Sequence, residues 1–125
     1  MLEAGLEMTM STAPSPVSDM LVTVKSREVQ RGLLAEMRGD QNSAVRHFLA
    51  AGHLELVLAA DYDETGDSDL ALRSRLSAAS CLWRAGQGEP ARGLIDQLRQ
   101  TQPDHSTLIQ KVLDDLGANV PVLAQ

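Results

Sequence analysis

From Ser18 onward the chain repeats apolar residues at helical rather than alternating spacing. Met20, Leu21, Val24, Leu33, Leu34 and Met37 fall near one face of a first predicted helix, with Asp19 near its N-terminus, where a carboxylate suits the helix dipole, and Gly39 as its stop. A second predicted helix, Ser43 to Ala60, carries Ala44, Val45, Phe48, Leu49, Gly52, Leu56, Val57 and Ala60 at the same period. The third begins near Ser68, read as its N-cap, and runs through Leu72, Leu76, Ala79, Leu82 and Trp83 to Gly86. Glu89 to Gln100 forms a fourth, with Pro90 tolerated in the first turn and Ala91, Leu94, Ile95 and Leu98 facing inward.

A fifth helix starts near Asp104. Leu108, Ile109, Val112, Leu113 and Leu116 form its apolar stripe, Gln110, Lys111, Asp114 and Asp115 its wet side, and Gly117 its stop. No alternating pattern with turn chemistry interrupts these segments, so the expected fold is all-α, five helices with short connections. Residues 1–17, punctuated by Pro14-Ser15-Pro16, have neither period and read as a flexible tail. The helical domain is expected over 18–117, with a second tail over 118–125.

One domain suits a chain of 125 residues. With 43% hydrophobic residues but a single Phe, Trp and Tyr, the core must be built from Leu, Ala, Val and Met, which favours helices. The net charge of −6 argues against a nucleic-acid partner or an anionic membrane surface, since no basic patch offsets it. No apolar run approaches a membrane span or a signal sequence, and a single cysteine forms no internal disulfide, so the expected location is cytoplasmic.

Self-similarity refines the picture. Gly39-x4-Ala44-x3-Phe48-x2-Ala51 recurs as Gly86-x4-Ala91-x3-Ile95-x2-Leu98. A glycine permits the tight turn, a small residue lets antiparallel helices approach, and a larger one fills the space a turn later. This pattern resembles the tetratricopeptide repeat (TPR) over about residues 25 to 103, with Gly32, Gly39, Ala44, Phe48 and Ala51 matching in the first unit and Gly86, Ala91 and the closing Pro103 in the second. It departs from that family at Glu28, Ala35, Arg75 and Leu82, where Trp and Tyr are typical. Gly39 and Gly86 also stand 47 positions apart, against roughly 34 in the family. The fold so implied is two TPR-like antiparallel hairpins with a C-terminal capping helix.

By this resemblance the first helix of each hairpin lines a groove that holds a protein or peptide partner. Its ligand side is expected to carry Ser26, Val29, Leu33, Glu36 and Met37, then Arg73, Leu76, Ser80, Trp83 and Arg84. Trp83 beside Arg84 is the leading pair, because Trp and Arg are enriched among binding hot spots. The carboxylate clamp of the family's peptide-binding members is absent, since Val29, Leu33 and Ser77 stand at its positions. Fewer than three repeats leaves burial incomplete, and a homodimer or a complex is expected to supply it.

Candidate chemistry is sparse. Asp61, Asp63, Thr65 and Gly66 imitate the opening of a calcium loop, but Ser68 occupies its eighth position and Leu72 the twelfth, where a bidentate Glu belongs. The stretch 61–69 therefore reads as an acidic connector, with Asp61 and Asp63 solvated and Asp67, Ser68 and Asp69 capping the next helix. His47 and His53 are six apart, unlike the i, i+4 pair that grips zinc, and Cys81 among Ala79, Ser80 and Leu82 reads as a packed small hydrophobe. No catalytic, cofactor or metal residues are assigned. The expected function is a non-enzymatic binding scaffold or adaptor, the alternatives being a small acidic chaperone or assembly factor, or a metal-binding or enzymatic protein using 61–69.

Overall fold

A computed structural model describes residues 16–118. Within them the chain is all-α: α1 (Pro16–Met37), α2 (Gln41–Glu64), α3 (Ser68–Arg84), α4 (Gly88–Thr101), a 3-10 turn (Pro103–His105) and α5 (Ser106–Ala118). Sequential helices pack antiparallel, and no strand occurs among the described residues. The expected tails fall outside this range except for Pro16, Val17 and Ala118, which are helical. Gly117 lies inside α5 rather than stopping it.

The first three connections share one design. Gly39, Gly66 and Gly86 have φ near +76°, +78° and +79°, a left-handed conformation that residues with a Cβ adopt only under strain. At each, the glycine amide bonds back to the last turn and the following amide reaches one residue further: Asp40 to Ala35, Asp67 to Tyr62 and Gln87 to Leu82. These bonds satisfy carbonyls that a helix end otherwise leaves orphaned. Asp40 and Asp67 then cap the next helix, accepting from the amides of Ser43 and Leu70. Asp67, not Ser68, is the N-cap of α3, because the turn takes one residue after its glycine and that residue is the aspartate.

Close helix approach builds the core. Between α1 and α2, Ala35, Ala44, Phe48 and Ala51 are buried together with Cys81 and Ala85, and Gly32 lies directly against the Phe48 ring. Across α3, α4 and α5 a second cluster joins Leu72, Leu76, Ala79, Ile95, Leu98 and Ile109. Leu82, Trp83 and Ala91 form a third, with Leu49 and Leu116 against it.

Two expectations change. The stripe on α1 faces outward: Met20, Val24, Leu33, Leu34 and Met37 are exposed, Met37 by 82%, and of the six only Leu21 is half-buried. Ser18, Lys25, Glu28, Gly32 and Ala35 take the inner face instead, small at Gly32 where the Phe48 ring comes close, and paired where they are charged, Lys25 with Glu55 and Glu28 with His47. The acidic stretch is also shorter as a loop than its composition suggests. Residues 61–64 continue α2, leaving only Thr65, Gly66 and Asp67 between the helices.

Candidate functional site: the groove between α1 and α3

Helix α2 packs on both α1 and α3, so those two flank a groove whose floor is α2. Toward its open end lies a cavity of about 210 Å³. Val22 and Lys25 line it from α1, Glu55, Leu58 and Tyr62 from α2, and Leu70, Arg73, Ser74 and Ser77 from α3. Glu55 is 5% exposed, yet ionisable, and Lys25 Nζ lies 3.5 Å from its Oε2. A buried carboxylate is costly unless paired, and this lysine, itself 23% exposed, provides the pairing from the groove wall.

The mouth is negative. Burial first, then the carboxylates of Glu55, Asp67, Asp19 and Asp61, push the Tyr62 hydroxyl above its ordinary pKa. Ser18 donates to Asp61 at 3.0 Å, tying the start of α1 to the end of α2. Arg75 forks onto Asp63 with both terminal nitrogens and holds its carboxyl below the usual range. Asp61 and Asp63 are thus engaged by side chains, not merely solvated. Among the described residues no three His, Cys, Asp or Glu side chains converge on a point fit for a metal ion.

The other end is closed by an ion pair. Arg84 reaches across from α3 to Glu36 at 3.3 Å, and its guanidinium lies 5.3 Å from the Phe48 ring centre. A cation over an aromatic face is attracted by the ring quadrupole, so Arg84 is held from two sides.

The ten expected groove residues are scattered around this geometry. Arg73 lines the cavity, and Glu36 and Arg84 form the cross-groove bridge. Ser26 and Val29 are half-buried, Val29 packing on the α1–α2 core, whereas Leu33 and Met37 are exposed. Ser80 is half-buried and donates to the Leu76 carbonyl. Leu76 and Trp83, however, are buried at 5% and 8% among α3, α4 and α5, and offer a ligand almost no surface. Trp83 packs under Arg92, whose guanidinium lies 5.4 Å from the ring centre, and its indole N–H is buried without an acceptor among the described residues. The correction has a simple cause: the large ring fills the space that Ala91 and Gly88 leave on α4.

Sequence reasoning missed Val22, Lys25, Glu55, Tyr62 and Leu70. A signal existed for Glu55, because Ala44, Phe48, Ala51, Glu55 and Leu58 recur at steps of three and four and place a carboxylate on the buried face of α2. For Cys81, burial pushes the thiol up to about 11, which leaves it protonated and a poor nucleophile near neutrality. His47 Nδ1 meets Glu28 Oε2 across the α1–α2 contact, while His53 is exposed.

No helix among the described residues is long and apolar enough to cross a membrane. Comparison with models of protein families, with curated protein sequences and with solved structures found no match to this chain.

Proposed function

We propose that this chain is a non-enzymatic adaptor that holds a peptide segment of a partner protein in the α1/α3 groove, on a divergent TPR-like frame. The observation that carries the reading is the open cavity above the Lys25–Glu55 pair. An apolar residue at position 55 would complete the α2 stripe without the cost of desolvating a charge. A polar floor between the apolar rims of Val22 and Leu70 instead has the make-up of a binding site, with a few placed polar groups in a concave, partly apolar setting. Likeness to the repeat family adds support: Gly32 against Phe48, flanked by Ala44 and Ala51, is the small-against-large packing that the motif requires.

Panning a displayed random-peptide library against the purified chain tests this. Selected peptides should lose at least about tenfold in affinity, the scale of a hot-spot substitution, with Val22→Asp or Arg73→Glu, and be indifferent to Val57→Asp on the exposed side of α2. Selection of no peptide, or of peptides equally sensitive to the α2 control, would overturn the groove reading.

A further inference from the structure

Helix α1 packs on α2 and turns outward a face that no other helix covers among the described residues. On that face Met20 is 67% exposed and Val24 41%, and with Asp19, Thr23 and Arg27 they line a shallow cleft of about 320 Å³. Two apolar side chains thus stand in water on a face that is otherwise polar.

Its charges are arranged in a particular way. Asp19, Thr23 and Arg27 follow one another at four-residue steps, so the Cα atoms of Asp19 and Arg27 lie about 6 Å along the axis on either side of that of Thr23 and about 40° from it around the helix, in opposite senses. Both are exposed, and neither makes an ion pair among the described residues, in contrast to Lys25, Glu28, Arg31 and Glu36 on the same helix. An acid and a base equidistant from a central residue are self-complementary under a two-fold axis.

We infer that α1 is a homodimer interface, in which two copies pair antiparallel about Thr23 so that Asp19 of each meets Arg27 of the other. In that arrangement the Met20 and Val24 side chains all lie on one side of the seam. Val24 sits across from Val24 of the second copy, with Met20 of that copy beside it, which removes exposed apolar surface from water. Val22 and Lys25, which line the α1/α3 groove, stay outside the pairing, and only Asp19, at the groove mouth, is shared with the peptide-binding reading, so Arg27→Asp tests the dimer without touching the groove.

Sedimentation equilibrium of the full chain and its charge-reversed variants gives the test. Wild type should self-associate as a reversible dimer. Asp19→Arg places two like-charged pairs at the seam, and so does Arg27→Asp, and each alone should weaken dimerisation by at least about tenfold. An equimolar mixture of the two variants should recover a dimer of mixed composition, because both ionic pairs are then restored, and so should the doubly reversed chain. Circular dichroism of each variant establishes that the helices are intact. A wild type that stays monomeric at high concentration, as it would if another part of its own chain covered this face, overturns the inference. So do reversals that leave association unchanged, or a mixture that fails to recombine.

Discussion

Gly32 and Gly93 are both helical glycines, and their surroundings give the same substitution opposite signs. A Cβ on Gly32 would lie 2.9 Å from Cε2 and Cζ of Phe48, a ring that is 1% exposed and has nowhere to go. Around a Cβ at Gly93 nothing among the described residues comes within 4 Å. Alanine is favoured over glycine in a helix by about 0.8–1 kcal/mol, so Gly93→Ala should stabilise by up to that amount. At Gly32 overpacking of about 1–3 kcal/mol outweighs the same gain, and Gly32→Ala should destabilise by about 1 kcal/mol. Urea midpoints at unchanged m-value read both effects, and a stabilised Gly32→Ala would mean that α1 and α2 are less closely apposed than described. Gly32 and Phe48 were both legible as motif positions of the first hairpin, because their roles are steric and local, though not as each other's contact. Trp83 was put on the ligand side by the family resemblance, although the steps Leu72, Leu76, Ala79, Trp83 place it on the buried stripe of α3 that meets α4 and α5.

At the scale of elements, helix identities were readable and several ends were not. Apolar period alone placed the end of α2 at Ala60, where acidic residues begin, but Asp61 and Asp63 find Ser18 and Arg75 and the helix continues to Glu64. The better marker was the dipeptide Gly-Asp, present at 39–40 and again at 66–67, since both positions form the same left-handed turn and cap. This assignment separates two adjacent residues. Asp67→Ala removes the side chain that accepts from the Leu70 amide and should cost about 1 kcal/mol. Ser68→Ala alters an exposed first-turn position that is not the cap and should fall within about 0.5 kcal/mol of wild type. Thermal or urea unfolding of the two variants distinguishes them, and the reverse order of stabilities would return the cap to Ser68. The outward apolar face of α1 has a related origin, because hydrophobic period locates a stripe without saying what covers it.

Across the described residues the largest contacts join sequential helices, with α5 also reaching α3. Helix α2 is clasped by α1 and α3, whereas α5 rests at the far end on α3 and α4 with Ile109 its only fully buried side chain among the described residues. In such an array stability is distributed, and end elements open at lower free energy than central ones. Amide hydrogen exchange should therefore be slowest in α2 and α3 and fastest in α5. The position of α1 depends on its outer face. If that face pairs with a second copy, protection in α1 should rise with protein concentration by mass action while α5 stays unchanged. Exchange measured at two concentrations well below and well above the dimer midpoint reads both gradients at once. Uniform protection from α1 to α5 would show a single cooperative unit instead of a stacked array. A graded profile in which α1 ignores concentration would leave the array standing and remove the dimer.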